Sequence, residues 1–136
     1  MQHKEKYTNQ QLADLLRNLM EVQSLKGVKF ALTIAKNVRV IRHELEPLDE
    51  VSKASEEFLE LSQKVRECEA NKDEKGIQKL EKENVKLVDE RKKQLAELAE
   101  LMKDEVEVSL FKISENKLPN DITAQQILGI ELIVKE

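Results

Sequence analysis

Residues 31–48 read ALTIAKNVRVIRHELEPL, and the spacing of their apolar side chains decides the fold. Gaps of three and four positions alternate between Ala31, Ile34, Val38, Ile41, Leu45 and Leu48. This spacing places one apolar residue on the same side of every helical turn, as in the seam of a coiled coil. The pattern resumes at Val51 and runs to Cys68, which predicts a helical arm about 66 Å long from Val28 to Asn71.

A second apolar stripe follows a polar turn at residues 71–76. It occupies residues 74–104 and consists of Ile77, Leu80, Leu87, Leu95, Leu98 and Met102. Asn84 and Arg91 stand where the repeat requires apolar residues, and polar seam residues generally lower stability while fixing the register. Together the two stripes predict a long antiparallel helical hairpin over residues 28–104.

Pro47 interrupts the first arm of this hairpin. Its ring clashes with the carbonyl of His43 and it has no N–H to donate, so we expect a kink or break over residues 44–47. A proline also suits the first turn of a new helix. The sequence therefore leaves two alternatives open, a kinked continuous helix and two separate helices.

An additional helix is predicted at the N-terminus, over residues 9–26. Thr8 or Asn9 can cap its first N–H groups, and Gly27 suits a left-handed C-terminal cap. One face of this helix carries Leu12, Leu15, Leu16, Leu19 and Met20. Residues 1–6 are polar, and we expect them to be loose.

The spacing of the apolar residues changes after residue 104, where a small C-terminal β element is predicted. Val106, Val108 and Leu110 alternate with polar residues, which indicates a half-buried strand. Residues 116–121 form a turn, and Thr123 with Gln126 resembles a capping box that opens a short helix to about Leu128. Residues 130–134 either form a second strand, antiparallel to the first, or stay helical through Lys135. The fold class is therefore mainly α, with a minor β part.

Composition indicates a single domain over residues 1–136 with a modest core. Charged residues make up 37% of the chain and aromatic residues 3%, which favours long helices over a compact mixed core. Such a chain leaves apolar surface uncovered, so we expect a homo-oligomer or a protein partner. Cys68 is the single cysteine, and the sequence has neither a signal segment nor an apolar run long enough to span a bilayer. These features favour a soluble cytoplasmic protein with no membrane association.

No residue pattern predicts catalysis, and we expect no enzyme, cofactor, metal or small-molecule substrate. His3 and His43 are the two histidines, one in the polar tail and one on a basic helix face. The three glycines are isolated, so no phosphate-binding loop is present. Glu56, Glu57 and Glu60 are typical of a solvated helix face, because metal cages generally draw ligands from several elements.

A basic stretch provides the candidate partner-binding residues: Lys26, Lys29, Lys36, Arg39 and Arg42. No acidic residue interrupts it between Val22 and His43. It could bind an anionic partner or the acidic face of another subunit, or simply be a solvated face balanced by its neighbours. Leu32 and Val40 lie on the basic side, so we expect the first arm to be covered twice, the second time by the N-terminal helix.

Two segments carry a resemblance to a known group of proteins. Residues 25–37, LKGVKFALTIAKN, followed by Glu44-Leu45-Glu46-Pro47, resemble small uncharacterised proteins encoded by tailed bacteriophages, and so does the Leu118-Pro119 turn before the Thr-capped segment. The resemblance covers roughly residues 10–60 and 105–130. It implies a small virion-assembly or host-interaction protein, located in the host cytoplasm or the virion, and assigns no functional residue.

These observations favour a non-enzymatic helical interaction or assembly protein that acts through protein–protein contacts. One alternative is a nucleic-acid-binding accessory protein that uses the basic stretch over residues 26–42. Another is a holdase-like assembly chaperone with clamping helical arms.

Overall fold

The computed structural model describes residues 4–136, and its secondary structure is mainly α-helical with a small β part. This confirms the predicted fold class. The elements of the described range follow in chain order: β1 (Lys4–Thr8), α1 (Asn9–Val22), α2 (Val28–Ser52), α3 (Glu56–Ala70), α4 (Glu74–Glu83), α5 (Val85–Leu101), β2 (Glu105–Ser109), β3 (Ile113–Ser114), α6 (Ala124–Gly129) and β4 (Val134–Lys135).

The chain divides into two compact units. The first unit contains the residues up to Pro47 and those from Leu101 onward, and the second contains Leu48–Glu100. The hairpin predicted over residues 28–104 includes residues of both units. Within the second unit, α3 packs against α4, and a tight turn connects the two helices. The single domain expected over residues 1–136 stays a prediction, because contacts define a compact unit whereas independent folding defines a domain.

Helix α2 continues through Pro47 and ends at Ser52, so the continuous helix is the alternative that the structure contains. The two-helix alternative, with a break over residues 44–47, is wrong, and the interruption lies at residues 53–55 instead. His43, whose carbonyl loses its usual partner, is exposed, and water can satisfy that carbonyl. Ser55 begins α3, since its side chain accepts a hydrogen bond from the Phe58 N–H at 3.1 Å.

Thr8 begins α1 as predicted, through a capping box with Gln11 in which each side chain accepts from the other residue's backbone N–H. The predicted end at Lys26 is wrong, because α1 ends at Val22. Gly27 does not cap α1 either. It adopts a φ of +129°, and its carbonyl accepts from the Ala31 N–H at 2.8 Å, so its backbone begins α2.

The strand pairing differs from the prediction. β2 pairs antiparallel with β1, with Tyr7 opposite Val106, and β3 pairs in parallel with β4. The expected pairing of residues 106–110 with residues 130–134 is therefore wrong, and so is the expectation of a loose segment for Lys4–Lys6. The rest of that expected segment, with His3, lies outside the described residues.

The C-terminal segment is close to the prediction at its start and departs from it at its end. Thr123 and Gln126 form the predicted capping box, and α6 follows. Residues 131–133 then form a single 3₁₀ turn, and β4 is two residues long. Neither a full strand over residues 130–134 nor a helix through Lys135 is formed.

Buried apolar side chains of the first unit come from most of its elements. They are Tyr7, Leu12, Leu15, Leu19, Val22, Phe30, Ile34, Ile41, Leu45, Val108, Leu110, Ile113, Ile130 and Ile133. The buried stripe of α2 is rotated from the predicted seam, since Ala31 is exposed and Val38 is half-buried. Asn37 is buried in place of its neighbour Val38, which the predicted seam contained, and its side chain is fully buried.

The Asn37 carboxamide pairs with the backbone of Phe111, which lies between β2 and β3. Its Oδ1 accepts from the Phe111 N–H at 2.7 Å, and its Nδ2 donates to the Phe111 carbonyl at 2.8 Å. The side chain therefore satisfies both backbone groups of a residue outside the two ladders. These two bonds join α2 to the C-terminal segment of the first unit.

We predict that Asn37→Ala lowers the free energy of unfolding by about 2–4 kcal/mol, because both Phe111 backbone groups lose their partner. Urea denaturation followed by circular dichroism measures this change. Asn116→Ala, at an exposed asparagine, serves as the control and should change stability by less than about 0.5 kcal/mol. Equal effects of the two substitutions would contradict the proposed role of the Asn37–Phe111 pair.

Tyr7 provides a second test, of the β1–β2 pairing. Burial of the Tyr7 phenol raises its pKa, the hydrogen bond that it donates to Glu5 Oε2 at 2.7 Å raises it further, and the Glu5 charge adds to both. Because the folded pKa lies above the unfolded value of about 10, this stabilisation is present below pH 10 and is lost as the pH rises through the folded pKa.

The free energy of unfolding should therefore fall above about pH 10, and Tyr7→Phe should lack this part of the pH dependence. Tyr7 is the single tyrosine and the chain has no tryptophan, so phenolate absorbance reports this residue alone. Ionisation of the native protein near pH 10 would contradict a buried Tyr7.

Candidate functional site

The five basic residues predicted to bind a partner are all exposed. Arg39 and Arg42 line a common cleft in the first unit. Lys36 lies elsewhere, with its Nζ 5.0 Å from the centroid of the Phe111 ring. Lys26 and Lys29 are exposed outside the cleft lining. Two of the five predicted residues, Arg39 and Arg42, therefore share a cleft, and the other three lie outside its lining.

The cleft beside this pair has a volume of about 450 Å³. Its lining consists of Gln23, Ala31, Ile34, Ala35, Val38, Arg39 and Arg42. All but the first come from α2, so the cleft follows one side of that helix. Its floor is made of aliphatic side chains, and its charged groups lie at the end of the cleft nearer the C-terminus of the helix. Such a surface suits an apolar side chain that is followed by an anionic group.

The charges of the two arginines are not neutralised locally. Within the described residues, no carboxylate oxygen lies within 4 Å of Arg39 or Arg42. Arg42 is held instead by Met20, whose sulfur accepts from its Nη2 at 3.4 Å. A thioether is a weak acceptor, so most of the guanidinium donors stay available to a carboxylate.

Exposed apolar residues continue the cleft toward the start of α2. Val28 is 89% exposed and Leu32 is 53% exposed, and the exposed Ala31 and Ala35 lie beside them on the helix surface. The expectation that the N-terminal helix covers Leu32 is therefore wrong. We call Val28, Ala31, Leu32, Ala35, Arg39 and Arg42 the exposed α2 face. In the sequence, this face was indicated by Leu32, which lies outside the predicted seam. Val28 gave no such indication, because it directly follows Gly27 at the start of the helix.

A second open surface lies in the second unit, between α3 and the return helices α4 and α5. We call it the hairpin groove. It has a volume of about 710 Å³ and is lined by Phe58, Leu61, Ser62, Val65, Arg66, Glu69, Glu81, Val85, Val88, Asp89 and Lys92. Among the apolar residues of Leu48–Glu100, only Leu61 is buried, and Val85 is 53% exposed. The hairpin alone therefore encloses almost no core.

Arg91 and Gln94, both on α5, satisfy backbone carbonyls at the end of α2. Arg91 donates to the Ser52 carbonyl at 2.8 Å, and Gln94 donates to the carbonyls of Val51 and Lys53 at 2.7 and 3.0 Å. The last carbonyls of a helix have no partner within the helix, so these contacts explain why a polar residue stands in the seam at position 91. The Arg91 guanidinium also lies 5.8 Å from the Phe58 ring centroid.

Asn84, the other polar seam residue, marks a helix boundary that the sequence did not reveal. It ends α4, and its side chain donates to the Leu80 carbonyl at 2.8 Å before α5 begins. The return arm is thus two helices instead of the single one predicted. Leu95, which the seam assigned to the interior, is 45% exposed.

Acidic side chains do not gather into a metal site within residues 4–136: no group of three or more histidine, cysteine, aspartate or glutamate residues is placed to hold an ion. Glu56, Glu57 and Glu60 are exposed, as predicted. No helix in the same range combines the length and apolar character needed to cross a membrane.

Comparisons of this chain with protein-family models, with curated proteins and with solved structures find no match. The resemblance to tailed-bacteriophage proteins therefore stays a prediction. The exposed α2 face and the hairpin groove are the two surfaces of this chain that point to a function.

The two sides of α2 should differ sharply in their sensitivity to substitution. We predict that Leu32→Ala changes the free energy of unfolding by less than about 0.5 kcal/mol, because its side chain is largely solvated. Ile34→Ala, two residues away and buried, should lower it by about 2–5 kcal/mol. Thermal and urea denaturation compare the pair. A large loss at Leu32 would show that this residue is covered in the native protein.

Proposed function

We propose that this chain is a non-enzymatic interaction and assembly protein, and that its exposed α2 face binds an acidic, amphipathic segment of another protein. One observation carries this proposal: exposed Val28 and Leu32 lie on the same face as two arginines with no carboxylate partner in the described residues. Apolar area and unneutralised guanidinium groups on one face are the features of a protein-binding surface.

The chemistry of this face determines the kind of partner. Exposed aliphatic surface is stabilised by burial at about 25 cal/mol per Å². The planar guanidinium of arginine binds a carboxylate through two parallel hydrogen bonds, which lysine cannot do. A partner helix with leucines on one side and glutamates beside them would meet both requirements.

Nucleic acid is less well matched to the geometry. Phosphate binding benefits from several cations along one surface. Here Lys36 lies against the Phe111 ring and does not share the cleft of Arg39 and Arg42, so two of the five predicted cations line that cleft. The net charge of −4 also opposes approach to a polyanion.

The resemblance to tailed-bacteriophage proteins supports a role in virion assembly or host interaction, in the host cytoplasm or the virion. The exposed α2 face can bind an acidic protein segment in any of these settings.

The proposal is tested by fluorescence anisotropy with a labelled amphipathic helical peptide. The peptide carries leucines at positions i, i+3, i+4 and i+7 and glutamates on both flanks. We expect saturable binding that weakens by at least about tenfold in Arg39→Gln/Arg42→Gln, because two charge-assisted contacts are lost. Leu32→Ser should weaken binding as well, since the apolar part of the interface is lost.

The matched control is Lys75→Gln/Lys79→Gln, which removes the same charge from exposed positions of α4. It should leave the affinity within about twofold, because neither lysine belongs to the exposed α2 face. Equal loss in both double variants would mean that only net charge matters. Stronger binding of labelled duplex DNA than of the peptide, lost steeply with salt, would contradict the proposal.

A further inference from the structure

The hairpin groove carries charges of both signs around its apolar floor. Arg66 and Glu69 from α3, Glu81 from α4, and Asp89 and Lys92 from α5 surround Phe58, Leu61, Val65, Val85 and Val88. Within residues 4–136, none of these five charged groups has an ion-pair partner within 4 Å. The groove thus combines exposed aliphatic side chains with unpaired charges of opposite sign.

The register of the hairpin places these residues at defined levels along the groove. Phe58 lies beside Arg91, and a side chain at Gly76 would meet the sulfur of Cys68. Because the two arms run in opposite directions between these points, Arg66 lies at about the level of Glu81. In the same way, Leu61 lies between the levels of Val85 and Val88.

We infer that the groove binds the same groove of a second copy of this chain, so that the two hairpins form two packed layers with both turns at the same end. A two-fold axis along the groove places α3 of each copy over α4 and α5 of the other. Each Arg66 then faces Glu81 of the second copy, and Leu61 faces the valines of α5. Every charged contact that this arrangement creates at the level of Arg66 joins opposite signs.

The opposite orientation does not form these pairs. If the turns lay at opposite ends, α3 would pack on α3 of the second copy, and Arg66 would no longer face Glu81. The pairing of Arg66 with Glu81 therefore favours a second copy with both turns at the same end.

This inference goes beyond the proposed function and uses a different surface, so each can fail without the other. Sedimentation equilibrium of the full chain tests it. We expect a species of twice the 15.7 kDa chain mass at tens of micromolar. Val85→Asp should abolish it, and because Val85 is half-exposed in one copy, circular dichroism should show an unchanged helix content.

Charge exchange tests the direction of the pairing. Arg66→Glu and Glu81→Lys should each weaken the dimer about tenfold, and the double variant Arg66→Glu/Glu81→Lys should return to within about twofold of the original. Lys79→Glu and Glu97→Lys make the same charge changes at exposed positions outside the groove and should have little effect.

Three results would overturn the inference. One is a monomer at a concentration of about 100 μM, and another is a dimer that Val85→Asp leaves unchanged. The third is tighter association of Glu81→Lys, which would contradict a contact between Arg66 and Glu81 of the second copy. None of these results bears on peptide binding by Arg39 and Arg42.

Discussion

The first unit depends on the buried pair between the Asn37 carboxamide and the Phe111 backbone. A fully buried amide must find partners for its donor and its acceptor, and here one residue of the C-terminal segment supplies both. The pair fixes the rotation of α2 about its own axis. At 3.6 residues per turn, Arg39 and Arg42 lie about 200° and 140° around the helix from Asn37. Burial of Asn37 therefore directs both guanidinium groups outward, onto the exposed α2 face.

The two units enclose apolar residues to very different extents, and their construction explains why. In the first unit, α1, α2, α6 and the strand segments approach from several directions and bury side chains such as Leu12, Phe30 and Ile130 completely. In the second unit, two antiparallel layers can cover each other on one side only, so most apolar residues stay half-exposed. A helical layer of this kind gains its stability by packing against further helices.

Local signals in the sequence were sufficient for the mainly helical character of the chain and for the starts of α1 and α6. The capping boxes of Thr8 and Thr123 each involve residues three positions apart, and the 3.6-residue period marked the mainly α fold. Local signals failed where distant residues decide. The charged segment KEKYT pairs with residues 105–109, about 100 positions away in the chain, and only its single aromatic residue indicates burial.

The candidate site was partly predictable for the same reason. The basic stretch was visible, but its division between Lys36 and the arginine pair follows from the burial of Asn37, whose pairing with Phe111 no sequence period encodes. The break at residues 53–55 was hidden as well. Pro47 predicts an interruption of the helix over residues 44–47. The carbonyls at the actual end of α2 accept hydrogen bonds from Arg91 and Gln94, some 40 residues further along the chain.

The two open surfaces differ in what they can bind, because their charges are distributed differently. The exposed α2 face carries positive charge only, so two copies facing each other would place four guanidinium groups in one interface. Like charges in a desolvated contact cost more than the small aliphatic area would return. The hairpin groove carries both signs, and its Arg66 and Glu81 are complementary to the same groove of a second copy. We therefore propose the groove for self-association and the exposed α2 face for a different, acidic molecule.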